Sequence, residues 1–479
     1  MNEQTYDVVV IGAGPVGENV ADRAVAGGLT AVVVERELVG GECSYWACMP
    51  TKALLRSGAA LRAATSVAGA REAVTRGLDA DAVLRRRDSF ASSWKDDGQV
   101  DWLTSAGIAL VRGHGRLAGD RQVEVVATDG STTTLHARHA VVVATGTRAL
   151  VPALPGLRAA SPWTSREAVA TDTVPGRLLV VGAGVVATEV ATAFSGLGST
   201  VTVLARDGVI PHVEPFAGQI VLDSLTEAGV DVRLGEELAE VDRLGDETVR
   251  VTLGDGSTVD ADEVLVAVGR APSTNDLSLP DIGLVDGQWL AVDDGLHVLD
   301  AEGSPMDWLF AAGDVNRRAL LTHQGKYQAR ALGDAIVARA HGAPVDLTQW
   351  GRHAATADLR AVPQVIFTDP EVAAVGLSEA AARDAGLTVR AVDHDLGAVA
   401  GAALHADDYR GRARMVVDED RGVLVGFTVV GPDVAELLQA ATIAIVGEVP
   451  LERLWHAVPA YPTISEVWLR LLEAYGRPS

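Results

Sequence analysis

The chain has only two cysteines in 479 residues, no uninterrupted apolar run near the roughly 20 residues of a membrane-spanning helix, and a marked shortage of basic side chains. Each shortage excludes something. The 40 Lys and Arg against 64 Asp and Glu leave a formal charge of −24, which opposes binding to nucleic acid or to an anionic membrane surface and favours solubility. No spanning helix is expected, and no basic, apolar-cored leader precedes the strand that begins near Tyr6, so the expected location is the cytoplasm. In that reducing compartment a structural disulfide would not persist, and two cysteines close together point to catalysis. Hydrophobic residues, in contrast, make up 48% of the chain, ample core for three domains of ordinary size.

Both cysteines lie in one stretch, Gly40-Gly41-Glu42-Cys43-Ser44-Tyr45-Trp46-Ala47-Cys48-Met49-Pro50-Thr51-Lys52. In a regular helix, the rise between them would hold the two α-carbons roughly 8 Å apart, beyond disulfide reach, so pairing requires a distorted turn. Gly40 and Gly41 permit such a turn, and Pro50 fits the first turn of a helix running on through Lys52 and Leu55. Cys48 is then expected at a helix N-terminus. There the macrodipole favours the thiolate, the reactive form of sulfur.

Upstream of the pair, the apolar run over residues 6–11 suits a buried parallel strand and feeds Gly12-Ala13-Gly14-Pro15-Val16-Gly17 and a helix-like stretch. This is a dinucleotide-binding turn. Gly12 allows the tight bend, Gly14 lets backbone approach a pyrophosphate, Gly17 lets helix pack on strand, and Glu35 ends the next strand where a carboxylate can hold a ribose hydroxyl. The pattern repeats at residues 177–187, where a strand runs into Gly182-Ala183-Gly184 and Ala187 takes the third glycine's place. Two such units imply two dinucleotides. Between them, residues 53–98 carry alanine, leucine and arginine at helical spacing, short β-like segments follow over 108–126 and 139–143, and residues 151–156 read as a proline-containing linker. Residues 230–268 are strand-rich, and from about residue 351 candidate strands at 414–417 and 423–430 give the chain a different character.

The cysteine stretch matches GGxCxxxxCxP(S/T)K at every fixed position, and by this the chain resembles the class I pyridine nucleotide-disulfide oxidoreductases, the family of glutathione reductase, dihydrolipoamide dehydrogenase and mercuric reductase. The resemblance covers essentially the whole chain, with no appended metal-binding or lipoyl module, and no metal site is expected. It implies an α/β fold of two Rossmann-like dinucleotide-binding domains plus an α+β C-terminal dimerisation domain. The expected division is FAD binding at 1–150 and 273–350, NAD(P)H binding at 151–272, and a homodimer interface at 351–479. Cys48 becomes the sulfur facing the flavin, Cys43 the interchange thiol, and Lys52, paired with Glu189, the cation near the flavin's reactive nitrogen. Thr145 and Gly146 match the second FAD signature, Gly269 and Arg270 the turn closing the nicotinamide domain, and Gly313 and Asp314 the turn whose aspartate contacts the ribityl chain. With Gly12, Gly14, Pro15, Gly17, Glu35, Gly41, Gly182, Gly184 and Arg206, these complete the expected cofactor-binding set.

Three departures bear on chemistry. Where NAD-dependent relatives usually end the strand of the second unit with a glutamate, this chain has Ala205 followed by Arg206, as in NADPH-dependent relatives, so NADPH is the expected donor over NADH; the second phosphate-binding arginine is replaced by His212. Tyr45 and Trp46 stand between the cysteines, where the family has slender residues, and offer a substrate an aromatic wall. In the C-terminal His-Pro-Thr-x-x-Glu motif, Tyr461 replaces the histidine that serves the partner subunit's cysteines, while Glu466 is retained; His456 lies off the motif. A tyrosine with a reference pKa of about 10 is a poor base at neutral pH, so weak reduction of ordinary glutathione-like disulfides is expected. Mercuric reductases also carry a tyrosine in this region, but they relay the ion through a second cysteine pair, which this chain lacks. The expected activity is therefore electron transfer between NAD(P)H, FAD, the Cys43–Cys48 disulfide and a small disulfide or dithiol. The alternatives are dihydrolipoamide dehydrogenase-like or mercuric reductase-like activity, or quinone and dye reduction at the flavin without the disulfide.

Overall fold

The computed structural model describes residues 2–245 and 248–476. The chain forms two compact units, each assembled from three stretches: Met1–Pro50, Asp88–Arg148 and Arg270–Leu359 in the first, Thr51–Arg87, Ala149–Gly269 and Arg360–Ser479 in the second.

The first unit is built on a sheet whose main path runs His297–Leu299, Pro305–Ala311, Thr132–Val143, Asn2–Ile11, Ala31–Glu35 and Ala109–Arg112. Its centre is parallel, with Val9 level with Val32 on one side and Val141 on the other. Alternate residues of Asn2–Ile11 feed two cores. Val8 and Val10 pack with Val33, Val142, Leu332 and Ile336, while Val9 and Ile11 pack with Val32, Val141, Leu117 and Leu309. Burial on both faces explains why this strand reads as a continuous apolar run instead of an alternating one. On one face the helices Pro15–Ala26 and Thr322–Ala340 lie close; a Cβ at Gly333 would meet Arg23 Cβ at 2.4 Å, so only glycine admits this approach.

The second unit holds two sheets of different kinds and a small three-stranded one. Asp231–Leu234, Thr200–Ala205, Arg177–Val181 and Glu263–Val266 form a parallel sheet, again entered by strand, glycine turn and helix. Pro363–Ile366, Glu371–Gly376, Val423–Gly431, Arg412–Asp418 and Val389–Asp395 form an antiparallel sheet. Its core includes Met415, Leu424 and Phe427, with Trp468 stacked on Phe427 at 4.4 Å. The fold is thus the mixed α/β architecture anticipated: two parallel dinucleotide-type sheets and one antiparallel C-terminal sheet with flanking helices.

The helical reading of residues 53–98 holds in part. Helices cover Cys48–Thr65 and Ala80–Phe90, and a third begins at Asp97. Between them only short 3-10 turns form, Arg71–Ala73 and Ser92–Trp94. Gly69, at φ +88°, adopts a conformation that ends right-handed helix, which the alanine-rich composition around it masks.

Candidate active site

In the first unit the turn after Asn2–Ile11 is shaped by what its glycines omit. Gly12 has φ +104°, and a Cβ there would sit 2.5 Å from the Ala144 carbonyl oxygen. A Cβ at Gly17 would lie 1.9 Å from Gly12 O, so this glycine is what lets the helix start against the strand. Pro15 occupies the first turn of the helix Pro15–Ala26, and nothing stands within 3.9 Å of a Cβ built on Gly14, its N-cap. Glu35 is fixed by the same turn: its carboxylate accepts from Ala13 N–H and Glu37 N–H, both at 2.8 Å, and burial pushes its pKa up. Thr145 carries a buried hydroxyl without a partner among the described residues, next to Gly146, whose φ is +67° and whose missing Cβ faces open space. Open glycine backbone, a helix N-terminus and an orphaned buried hydroxyl fit the diphosphate and polyol of a dinucleotide.

The cysteines follow. Gly40, at φ +109°, and Gly41, at φ +58°, turn the chain into the short helix Gly41–Tyr45, and a Cβ on Gly41 would press to 2.9 Å from Gly14 Cα. The chain then breaks and restarts, with Cys48 the first residue of the helix Cys48–Thr65 and Lys52 one turn along it. The break supplies the distortion that a continuous helix would deny. Both cysteines are thiols and half-buried. The Cys43 thiol is pushed well above its ordinary range, first by donating a hydrogen bond to the Cys48 sulfur and then by burial. Thr322 Oγ1 lies 3.5 Å from Cys48 Sγ, at the start of Thr322–Ala340.

Tyr45 does not form the aromatic wall that its place between the cysteines led us to expect. It is 2% exposed and its hydroxyl donates to Val39 O at 2.9 Å, so it is a core residue holding the turn. The short helix Gly41–Tyr45 rotates its last side chain inward, and only Trp46, edge-on to Tyr45 at 5.7 Å, stays partly open.

A polar chain ties further sequence-predicted residues together in this unit. Thr147 donates its hydroxyl to Asp314 Oδ2 at 2.8 Å and accepts from Arg270 Nε at 2.5 Å, while Arg270 also pairs with Glu42. Burial raises the pKa of Asp314. Gly313 gives its N–H to Gln328 Oε1 at 2.7 Å.

In the second unit Gly182 repeats the geometry of Gly12, at φ +109° with a missing Cβ that would meet Ala267 O at 2.5 Å. Gly184, the N-cap of Val185–Gly196, again faces open space, and Gly269 has φ +140°. Glu189, 2% exposed, takes Lys52 Nζ on one oxygen at 2.8 Å and Phe367 N–H on the other at 2.9 Å. Lys52 also sits 5.1 Å from the centre of the Phe367 ring, so its ammonium is held by charge and by the π face together. Arg206, just past Thr200–Ala205, is largely exposed and pairs with Asp207 at 2.9 Å. His212 is exposed, as are Tyr461, at 75%, and His456. Glu466 is buried; one oxygen accepts from Arg470 at 2.5 Å and the other has no partner among the described residues.

Sequence reasoning missed Thr147, Glu42 and Gln328. Each is a polar residue of ordinary type with no motif of its own, and only its spatial neighbours make it notable. It also missed Glu18, on the helix after the first glycine turn, whose burial pushes its pKa up to about 7 against the pull of Lys326.

Comparison with known proteins agrees with this geometry. The family model for pyridine nucleotide-disulphide oxidoreductases matches residues 6–342, and that for the family's dimerisation domain matches residues 362–471. A dihydrolipoyl dehydrogenase of Haloferax volcanii is 34% identical over 489 residues, covering 98% of this chain and 95% of the relative. A mercuric reductase of Shigella flexneri is 32% identical over 467 residues, covering 96% and 79% respectively. Among solved structures, LpdA from Mycobacterium tuberculosis matches with a TM-score of 0.81 at 25% identity over 99% of both chains. The Cu(II) complex of the HOCl-induced flavoprotein disulfide reductase RclA from Escherichia coli shares the fold, with a TM-score of 0.82 at 22% identity over 98% of this chain and 99% of that one. No helix among the described residues is long and apolar enough to cross a membrane. With its two glycine-turn sheets, its cysteine pair at a helix start and these matches along its length, the chain is a member of the pyridine nucleotide-disulphide oxidoreductases, FAD-dependent enzymes that also use a pyridine nucleotide, and it carries that family's dimerisation domain.

Proposed function

We propose that the protein is a cytoplasmic, homodimeric oxidoreductase that moves electron pairs between NADPH and a small disulfide or dithiol through Cys43 and Cys48. The observation that carries this reading is the sulfur geometry: Cys48 opens a helix, and Cys43 shares a hydrogen bond with it. A hydrogen bond donated by Cys43 leaves Cys48 as the sulfur better able to hold negative charge, at the end of a helix whose dipole favours it. A bound FAD supplies two-electron transfer between nicotinamide and sulfur. Gly12, Gly14, Pro15, Gly17, Glu35, Gly41, Thr145, Gly146, Gly313 and Asp314 would hold it, with Arg270 bracing the Thr147–Asp314 contact. Lys52, oriented by Glu189, supplies a fixed positive charge. The division into FAD-binding residues 1–150 and 273–350, NADPH-binding residues 151–272 and an interface at 351–479 belongs to the same reading; its last boundary is supported by family matches that end at 342 and resume at 362.

In the reductive direction Cys43 attacks one sulfur of the substrate, a mixed disulfide forms and one substrate thiol leaves. Cys48 then attacks Cys43, the Cys43–Cys48 disulfide forms and the second thiol leaves. Each leaving thiolate takes up one proton, and the pair of electrons has passed from the two cysteines to the substrate. Anaerobic titration should therefore find two more thiols per chain after NADPH reduction than before it. No gain in thiols would overturn the assignment.

Gly182, Gly184 and Gly269 would serve either nicotinamide dinucleotide, so a preference for NADPH rests on Arg206. One charge-assisted contact to a 2′-phosphate is worth about 1.5 to 3 kcal/mol, or roughly 10- to 150-fold. Asp207 already engages the guanidinium, and the exposed His212 replaces a second arginine, so the lower end applies. The expected result is about 10-fold higher kcat/KM with NADPH than with NADH. Arg206→Ala should erase it and Asp207→Asn should enlarge it. Equal specificity constants in the wild type would remove the argument.

One observation favours a second reading. The strong upward push on the Cys43 thiol leaves little thiolate at neutral pH, which suits quinone or dye reduction at the flavin that bypasses the pair.

A further inference from the structure

Asp358 is a buried carboxylate that the proposed chemistry leaves unused. It is 4% exposed, in the short helix Ala357–Arg360. Its two oxygens accept from amides: Gln324 Nε2 donates to Oδ1 at 2.9 Å and Gln328 Nε2 donates to Oδ2 at 2.8 Å. Gln328, fully buried, then uses its own oxygen to accept Gly313 N–H at 2.7 Å and Asn316 Nδ2 at 2.8 Å. Asn316 also donates to Ala311 O at 3.1 Å and accepts from Arg318 N–H at 3.0 Å. A buried chain of hydrogen bonds thus runs from Asp358 to the turn that carries Asp314.

The direction of the bonds in this chain suits an ionised carboxylate at one end and the Gly313 backbone N–H at the other. An ionised carboxylate only accepts, so Gln328 must turn its NH₂ toward Asp358 and its oxygen toward Gly313. A protonated Asp358 has a donor of its own and calls for an acceptor. Turning the Gln328 amide to provide one would set its NH₂ against Gly313 N–H, donor against donor.

We infer that Asp358 is a positioning residue for the flavin-binding turn: its ionised carboxylate fixes the orientation of the Gln328 amide, which holds Gly313 and Asn316 and, through them, Asp314. The inference rests on the proposed reading of Asp314 as flavin-facing.

The groups that face Asp358 make the latch titratable in an accessible range. Arg318 acts on it through its field and is itself paired with Asp294 at 3.1 Å; the Tyr327 hydroxyl nearby accepts from Ala357 N–H at 3.3 Å and donates to Ala354 O at 3.1 Å. Burial outweighs the two glutamines and Arg318 and pushes the carboxyl up to about 6. A raised carboxyl pKa means that the folded chain binds this proton more readily than the unfolded one. Its contribution to global stability is therefore present at acid pH and lost as pH rises through about 6. Acidification thus loosens the turn while, through this group alone, it favours the folded chain.

The test is FAD release from the holoenzyme, followed by flavin fluorescence at constant ionic strength between about pH 5 and pH 8. Wild type should release FAD about 10-fold faster below a midpoint near the Asp358 value than above it. Asp358→Asn cannot accept from both amides and should release FAD quickly at every pH, with no step. Gln324→Leu withdraws a bond that is stronger to the ionised form, so its midpoint should move upward while the turn keeps its direct contacts. If Asp358→Asn retains the wild-type step, the inference is overturned. Should Asp358→Asn fail to fold, an unshifted midpoint in Gln324→Leu overturns it equally. Asp314→Asn separates the two readings. FAD loss there without loss in Asp358→Asn defeats the latch, whereas loss in Asp358→Asn without loss in Asp314→Asn defeats only the flavin-facing role of Asp314.

Discussion

Cys43→Ser should abolish turnover of any disulfide substrate, lowering kcat by about 10⁴-fold or more, while leaving NADPH-dependent reduction of a quinone or dye within a few-fold of wild type. The scale follows from what is removed. A serine hydroxyl does not ionise near neutrality and forms no mixed disulfide, so the first bond of the interchange cannot form. Cys48 does not replace it in the proposed scheme, because its place at the helix start beside Thr322 suits it to exchange with the cofactor and with Cys43. Parallel assays of the variant with a small-molecule disulfide and with a quinone decide between the two readings. Survival of disulfide turnover would defeat the proposed role of Cys43. Equal loss in both assays would point to damage at the turn around Tyr45 instead.

Tyr461→His should raise turnover of a simple disulfide by about 10²-fold, the lower end of what general acid-base help contributes. Expelling a thiolate of reference pKa about 8.5 needs a nearby proton, and an imidazole of reference pKa about 6.5 both gives and retakes one near neutrality. Within the single chain Tyr461 is exposed, so the exchange disturbs no packing there, and Glu466 five residues on keeps a buried oxygen without a partner among the described residues. Tyr461→Phe, in contrast, should cost little if the phenol only donates a hydrogen bond. A wild type already as fast as the histidine variant would show that Tyr461 is an adequate proton donor and that the substitution does not limit the enzyme.

Much of the site was legible because its parts are written locally. Gly12, Gly17 and Gly182 are demanded by backbone conformation or close approach within a few residues of strand and helix, and the apolar runs beside them suit buried parallel strands. Pro50 and the glycines before Cys43 likewise announced the turn and the helix start at Cys48. The misreading of Tyr45 arose from the same locality: a residue between two cysteines looked like part of the surface they share, but the side on which a short helix presents its last side chain is decided by the core beneath it.

From the sequence alone came the two strand–glycine–helix turns, the close cysteine pair and candidate strands of the C-terminal segment, because hydrophobic period, glycine placement and cysteine spacing act over one or two turns of chain. The tertiary structure alone decided the pairings between distant residues. Glu189, whose pairing with Lys52 the family resemblance implied, also holds Phe367 N–H, Thr147 joins Asp314 to Arg270, and Asp358 reaches Gly313 through Gln328. A buried polar group must find a partner or pay its desolvation, yet which partner it finds depends on how separate stretches of chain are brought side by side, and no local pattern carries that information.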